Sequence, residues 1–198
     1  MNDVVICLLN PGGFDRAAQG LAGAGRRLAE ELGPQLTAIV LSPQSPGLGR
    51  EVAQVVDKVI VVDQGEYQPE AALSALAEAC SQLSPAAVLF GNDTYSQEVA
   101  PRLAYRLGGA AVGDVVEVMV HEQSLRVSRQ VYGGKAQATI ELKRKPAVLW
   151  TRSRSFTPAN HLRTPGAITE LSVEIPTDTR TKIVERKRES QTEQRLEE

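Results

Sequence analysis

Four short apolar runs alternate with four helical segments over the first 107 residues, and no other feature limits the fold as strongly. Each run has the length and apolarity of a strand that is buried on both faces of a parallel sheet. The predicted strands are residues 4–9, 36–41, 58–62 and 86–90. Because repeated strand–helix units build parallel strand pairs, this pattern predicts an open α/β sheet with helices on both of its faces.

The helical segments carry apolar residues at every third or fourth position, which is the spacing of a helix with one buried face. Helices are predicted at residues 15–32, 50–56, 69–83 and 97–107, and a Pro- and Gly-rich loop at residues 42–49. In the fourth helix, Thr94 or Ser96 is the predicted N-cap. Gly108-Gly109 is the predicted stop of that helix.

The pattern changes after Gly109. Four further strands are predicted at residues 114–120, 124–131, 136–142 and 147–152. The links between them are three or four residues long, which predicts antiparallel hairpins. Residues 168–175 alternate well enough for one more strand, pairing at an edge of the sheet or with a partner chain. Residues 177–198 are rich in charge, so they are predicted to be a solvated helix or a disordered tail.

Composition excludes several classes of function. The net charge is −2 and the pI is about 5.8, so there is no electrostatic argument for binding nucleic acid or an anionic membrane. Cys7 and Cys80 lie in apolar segments and are predicted to be buried thiols, with no spacing typical of a metal site. No apolar run approaches the ~20 residues of a membrane span. The N-terminus lacks the features of a signal peptide, which predicts a cytoplasmic location, or else a mature organellar form, without membrane insertion.

The sequence contains no recognisable catalytic motif. The patterns GxSxG, GxxxxGK[ST] and HExxH are all absent. Gly20, Gly23 and Gly25 lie inside the first helix, where we expect them to allow close packing of the helix on the sheet. His121 and His161 fall in predicted turns or loops, and we expect both to be solvated surface residues.

Polar residues gather where two of the predicted strands end, and these are the candidate ligand-binding residues. They are Asn10 after the first strand, and Asn92, Asp93, Thr94, Ser96 and Gln97 after the fourth. In one interpretation a phosphate meets the N-terminal amides of the following helix. In the other, these side chains only cap that helix. The sequence leaves both open, although the charge of Asp93 opposes a phosphate unless it is compensated.

Three segments in order along the chain together resemble one family, the N-terminal domain of the electron-transfer flavoprotein alpha subunit. The first is residues 88–118, with the helix sequence EVAPRLAYRLG after a polar turn. The second is residues 131–156, with a Tyr-Gly-Gly turn, an Ala-Thr-Ile strand and a basic-Pro connection. The third is residues 170–189, which is similar to the charged connector between the domains of that family.

The resemblance implies a doubly wound, mostly parallel sheet of the adenine nucleotide alpha hydrolase-like, Rossmann-like type, with an antiparallel β extension. It divides the chain into an N-terminal domain at residues 1–157 and a connector at residues 158–198. In the family, a Gly/Arg-rich loop of a second domain follows such a connector and holds FAD. No such loop occurs before Glu198, so we expect no FAD contacts within this chain, no metal, and a piece of a longer subunit rather than a stand-alone form.

The implied function is that of an electron carrier, not an enzyme. The domain would pair with a beta subunit in a heterodimer with one FAD, which takes electrons from acyl-CoA-type or other dehydrogenases and passes them to a quinone reductase or another acceptor. We expect residues 168–175 and the hairpins around Tyr132-Gly133-Gly134 to lie near the partner surface, and the chain alone could form a homodimer through that surface. In the family AMP is bound by the beta subunit and generally not by the alpha domain. The alternative is an adenine-nucleotide-binding module similar to the universal stress proteins.

Overall fold

The computed structural model describes residues 3–9, 13–33, 35–41, 45–62, 67–122, 124–173 and 184–185, which form nine strands and four helices. The elements in chain order are β1 (Val4–Leu8), α1 (Arg16–Leu32), β2 (Leu36–Leu41), α2 (Ser45–Val52), β3 (Lys58–Val62), α3 (Pro69–Leu83), β4 (Ala87–Phe90), α4 (Thr94–Arg106), β5 (Ala110–His121), β6 (Ser124–Val131), β7 (Ala136–Leu142), β8 (Ala147–Thr151) and β9 (Ala167–Glu170).

All nine strands belong to one sheet, in the order β7-β6-β5-β8-β4-β1-β2-β3-β9. From β5 through β8 to β9 every neighbouring pair is parallel. The pairs β5–β6 and β6–β7 are antiparallel. The predicted fold class, a doubly wound and mostly parallel sheet with an antiparallel extension, is therefore confirmed.

Two apolar layers cover the two faces of the parallel part. Along β1, Val4, Ile6 and Leu8 belong to the layer that includes residues of α1 and α2. Val5 and Cys7 alternate with them and belong to the layer of α3 and α4. Because successive side chains of a strand point to opposite faces, a continuous apolar run is what a strand covered on both sides requires.

The predicted hairpin between β7 and β8 is wrong, because β8 lies between β4 and β5 and is parallel to both. Three of its apolar residues, Ala147, Val148 and Leu149, are buried. β7, in contrast, is mostly exposed. Burial on both faces favours an interior position for β8, so the short link at residues 143–146 crosses to another part of the sheet instead of turning back. β5 also starts earlier than predicted, since residues 110–112 pair with β8.

Two helix starts differ from prediction. α2 begins at Ser45, within the predicted loop. Pro is compatible with the first turn of a helix. Gly49 lets the helix lie close to β3, because a Cβ at this position would be only 3.1 Å from the Val61 side chain. α4 begins at Thr94 and its N-cap is Asp93, not Thr94 or Ser96. The predicted stop is confirmed: Gly108 has φ +70°.

β9 covers only part of the predicted strand at residues 168–175. It pairs in parallel with β3 and forms one edge of the sheet, as one of the two predicted modes of pairing requires. Residues 174 and 175 lie outside the described residues. So does the charged segment at residues 177–198, except for Val184 and Glu185.

The chain between β8 and β9, residues 152–166, runs across α1 and the turn after α2, and we call it the crossing segment. The Ala159 N–H donates to the carbonyl of Gln19 at 3.4 Å, and the Leu162 N–H donates to the carbonyl of Gln54 at 2.7 Å. Gly20, Gly23 and Gly25 were expected to allow close packing of α1 on the sheet, and for two of them this prediction is wrong. The positions at which Gly20 and Gly23 would carry a Cβ face the backbone of residues 156–159, whereas only Gly25 lies against the sheet residues Ile6 and Leu36. The boundary at residue 157 stays a prediction.

Candidate functional site

The strand order places a cleft at the carboxyl edge of the sheet between β1 and β4. β1 is followed by α1 on one face and β4 by α4 on the other, so the loops after these two strands diverge. In open α/β sheets such a switch point is the usual place for a ligand. The cleft has a volume of about 870 Å³. Its polar lining comprises Asp15, Arg16, Asn92, Asp93, Thr94, Arg152, Ser153 and Arg154.

The turn after β4 is closed by hydrogen bonds among its own side chains. Asp93 Oδ1 accepts from the Ser96 N–H at 2.9 Å, and Asp93 Oδ2 accepts from the Ser96 hydroxyl at 2.6 Å. The Gln97 side-chain amide donates to Asn92 Oδ1 at 3.0 Å. Of the predicted site residues, Asn92, Asp93 and Thr94 line the cleft, Ser96 is buried, and Asn10 lies outside the described residues.

The other helix that starts at the cleft is capped in the same way. Asp15 is the N-cap of α1, and its Oδ1 accepts from the Ala18 N–H at 2.9 Å. A carboxylate therefore occupies an N-terminal amide of each of the two helices, where a phosphate would otherwise bind. This geometry favours capping as the role of the polar turn. The assignment of the predicted residues to a nucleotide stays a prediction.

Arg152 borders the cleft and pairs with Asp114, and neither residue was predicted from the sequence. Arg152 Nε and Nη2 donate to the two carboxylate oxygens of Asp114, each at 2.7 Å. Arg152 Nη1 also donates to Gln130 Oε1. The three residues come from the end of β8, from β5 and from β6, so only the unpredicted position of β8 brings them together. The one available signal was an Arg directly after a buried strand.

Asp114 occupies an irregular stretch of β5. Its φ is 59°, which is uncommon for a residue other than Gly. The pairing register of β5 shifts on both sides of Val115. Directly before Asp114, the indole of Trp150 fills the space that a Cβ at Gly113 would need. Two adjacent residues of β5 therefore contact the β8 region. Gly113 packs closely against Trp150, and Asp114 accepts two hydrogen bonds from Arg152.

Arg152 also borders a second, smaller cleft of about 500 Å³. Its remaining lining comes from β5, from β6 and from the turn between β6 and β7, at Asp114, Arg129, Gln130, Val131, Tyr132, Gly133 and Gly134. The Nε atom of Arg129 is buried without a hydrogen-bond partner, and Tyr132 is 83% exposed. The hairpin turn therefore presents an aromatic ring beside the ion pair.

Both cysteines are buried free thiols, as predicted. Burial raises the pKa of the Cys80 thiol to about 12. Burial, with a smaller effect from Cys80, also raises the pKa of the Cys7 thiol well above its usual value. Thiols of this kind are poor nucleophiles and poor metal ligands, because both roles need the thiolate.

Within the described ranges, no group of three or more His, Cys, Asp or Glu side chains is arranged to hold a metal ion. His121 and His161 are exposed, as expected. Among the same residues, every helix is too short or too polar to span a membrane.

Comparisons with known proteins agree on one family. The sequence profile of the family described as "Electron transfer flavoprotein domain" matches residues 4–176. The chain is 27% identical over 184 residues to Protein FixB of Clostridium saccharobutylicum, covering 88% of this chain and 54% of that protein. It is 24% identical over 135 residues to the electron transfer flavoprotein subunit alpha of Clostridium acetobutylicum, covering 65% of this chain and 40% of that protein.

A third relative is Protein FixB of Azorhizobium caulinodans, which is 30% identical over 146 residues, covering 68% of this chain and 39% of that protein. The chain thus spans about half the length, or less, of these curated relatives. The profile covers nearly all of the described fold, and the relatives include alpha subunits by name. The chain therefore belongs to the electron transfer flavoprotein family and is of the alpha-subunit N-terminal domain type.

Proposed function

We propose that this chain is the scaffold domain of an electron transfer flavoprotein. It pairs with a beta subunit in a heterodimer that carries one FAD and moves electrons from dehydrogenases to a quinone reductase or another acceptor. It is a carrier domain and not an enzyme. The observation that carries the proposal is the family match over residues 4–176. Relatives named as electron transfer subunits support the carrier role, among them the acryloyl-CoA reductase electron transfer subunit beta of Anaerotignum propionicum.

The flavin is held outside this domain in the proposed heterodimer. Two features support this. The Gly/Arg-rich loop that the resemblance associates with FAD does not occur in residues 1–198. At the switch-point cleft, Asp15 and Asp93 occupy the helix amides that could otherwise bind a phosphate. Residues 158–198 then serve as the connector towards the flavin domain.

The visible spectrum of the purified chain tests this part of the proposal. Residues 1–198 alone are expected to be colourless, and added FAD is expected to remain separable by gel filtration. A stoichiometric yellow chromophore retained by the chain would contradict a scaffold without flavin.

The antiparallel extension is the proposed contact surface for the beta subunit. β7 is an edge strand of seven residues whose outer side has no strand partner within the described sheet, and natural proteins seldom leave such an edge open. The adjoining turn exposes Tyr132, and aromatic residues are enriched in interfaces. The other expected contact, at residues 168–175, begins in β9 at the opposite edge of the sheet. One flat contact cannot include both edges, so the proposal commits to the β6–β7 turn and β7.

A pair of matched variants tests the surface. Tyr132→Ala is expected to weaken binding to a co-expressed beta subunit from the same genome by about tenfold, which is typical of an aromatic anchor. Tyr105→Ala removes an equally large exposed ring on α4, outside the proposed contact surface, and is expected to leave the affinity unchanged. Equal effects of the two variants, measured by surface plasmon resonance, would contradict this assignment.

The second candidate function is an adenine-nucleotide-binding module, and the switch-point cleft is the observation that favours it. Isothermal titration with AMP and ATP distinguishes the two functions. The scaffold proposal predicts no heat of binding at millimolar nucleotide. A saturable signal that Arg16→Ala weakens would favour the nucleotide module instead.

A further inference from the structure

The amino edge of the sheet, opposite the cleft, brings two distant segments of the chain together. α4 ends with Arg106, and the link at residues 143–146 leads into β8. The Ala110 N–H donates to the Pro146 carbonyl at 3.1 Å. Gly109 lies so close to Pro146 that any Cβ there would overlap the Pro146 carbonyl oxygen. The last turn of α4 and the basic link are therefore neighbours.

These two neighbouring segments carry four cations, and we call them, with Tyr105, the amino-edge patch. Lys143, Arg144 and Lys145 are exposed, and none of the ion pairs among the described residues includes them. Arg106 is also exposed, and it donates to the hydroxyl of Ser74 at 3.3 Å. Within the part of the chain that the structure describes, no carboxylate therefore forms an ion pair with any of the four charges.

Arg102, one turn earlier on α4, differs from these four cations because its charge is compensated by nearby carboxylates. It contacts the carboxylates of Glu70 at 3.2 Å and Glu98 at 3.4 Å. α3 and α4 run side by side with residue 102 opposite 70 and residue 106 opposite 74. The next position along α3 is Glu78, whose carboxylate accepts from the Gln82 side chain at 3.0 Å. None of the ion pairs among the described residues joins Glu78 to a cation of the patch.

An apolar strip adjoins these charges. Tyr105 is 90% exposed and borders a shallow groove of about 480 Å³ between α3 and α4. Leu73 and Pro101 supply the groove's apolar lining. The helix dipole accounts for a cation at position 106. It does not account for three cations on a loop or for an exposed aromatic ring beside them.

We propose that the amino-edge patch, formed by Arg106, Lys143, Arg144, Lys145 and Tyr105, binds an acidic segment of a partner protein. Charge complementarity identifies the occupant: four uncompensated cations stand on a chain whose net charge is −2, so the patch is opposite in sign to the molecule as a whole. Tyr and Arg are typical of protein interfaces, and the groove accepts apolar side chains spaced between carboxylates. A nucleic-acid surface would need a basic domain. This inference does not rest on the beta-subunit proposal, which uses the β6–β7 turn and β7, the strand that ends directly before Lys143.

Fluorescence anisotropy with a labelled twelve-residue peptide of Asp and Glu, carrying Leu at every fourth position, tests the proposal on the full chain. Lys143→Glu with Lys145→Glu is expected to weaken binding about tenfold or more. The matched control is Arg27→Glu with Arg163→Glu, which makes the same change in net charge at exposed sites elsewhere and is expected to have less than a twofold effect. Tyr105→Ala, which leaves the charge unchanged, is expected to weaken binding severalfold.

Circular dichroism confirms that each variant is folded, and Lys143→Gln with Lys145→Gln provides a milder change with a smaller expected loss. Equal losses in the patch and control variants would overturn the proposal, as would no effect of Tyr105→Ala. Tighter binding to phosphatidylserine vesicles or to a single-stranded oligonucleotide than to the peptide would also overturn it. Selective loss in the patch variants, with falling affinity as salt is raised, would support it.

Discussion

The guanidinium of Arg152 contacts both carboxylate oxygens of Asp114 at 2.7 Å, and this pair joins the end of β8 to the irregular stretch of β5. Asp114 has a left-handed backbone conformation, which has an energetic cost that surrounding contacts must offset. The pair lies where the parallel sheet passes into the antiparallel extension. It therefore stabilises the junction between the cleft and the proposed partner surface.

A double-mutant cycle measures the strength of this pair. Both side chains are about one-third exposed, so solvent screens the attraction, but the two-bond geometry is the favourable case for an Arg–carboxylate pair. Arg152→Ala and Asp114→Ala are expected to show a coupling free energy of about 1 kcal/mol in chemical unfolding. Strictly additive effects would show that the contact contributes nothing to the junction.

Gly23 tests the packing of the crossing segment on α1. A Cβ at this position would overlap the Thr157 carbonyl oxygen and lie 3.1 Å from the Ala159 nitrogen. Gly23→Ala is therefore expected to lower the free energy of unfolding by roughly 2–3 kcal/mol, since a backbone segment has to move. Gly47→Ala is the control, because Gly47 is also helical but has open space around it, and it is expected to be stabilising by roughly 0.5–1 kcal/mol. A neutral Gly23→Ala would contradict the described packing.

Asp93 tests whether the polar turn is a cap. Asp93→Ala removes the hydrogen bonds to Ser96 and is expected to cost about 1 kcal/mol of stability, a usual value for an N-cap. Thr94→Ala changes an exposed neighbour that also lines the cleft, and it is expected to cost less than half as much. Thermal unfolding of the two variants provides the comparison. If Thr94→Ala were the more harmful change, the cap assignment would be wrong.

The thiols provide a test through pH. Because burial raises the pKa of Cys80 to about 12 and that of Cys7 in the same direction, the folded chain holds both as neutral thiols while the unfolded chain ionises them near pH 8.5. Their contribution to stability is therefore full below that pH and is lost as the pH rises towards the folded values. Ellman's reagent at pH 8 is expected to label neither cysteine in the native chain and both in guanidinium. Rapid labelling of the native chain would contradict the burial.

The parallel half of the fold could be predicted because its information is local. The bounds of α3, β2 and β3 follow from apolar runs and helical periodicity, and each is found as predicted. The position of β8 could not be predicted in the same way. The short link between β7 and β8 resembles a hairpin. β8 nevertheless lies inside the sheet, because its apolar residues are buried on both faces there and would be exposed at the edge.

The site shows the same division. The polar turn after β4 was visible in the sequence because its residues are adjacent, and the structure brings Asn92, Asp93 and Thr94 to the cleft. The sequence predicts Thr94 or Ser96 as the N-cap. Which side-chain oxygen accepts from a backbone N–H in the first turn depends on the local geometry, and in the structure it belongs to Asp93. Arg152, Asp114 and Gln130 were missed because they are distant in sequence and meet only through the unpredicted strand order.

The central claim is that this domain is one half of a two-subunit scaffold. The most direct test is the mass, by light scattering, of the particle that forms when the chain is co-expressed with an electron transfer flavoprotein beta subunit from the same genome. The account predicts a stable complex with one copy of each chain. A monodisperse monomer of this chain, eluting apart from the beta subunit, would contradict it.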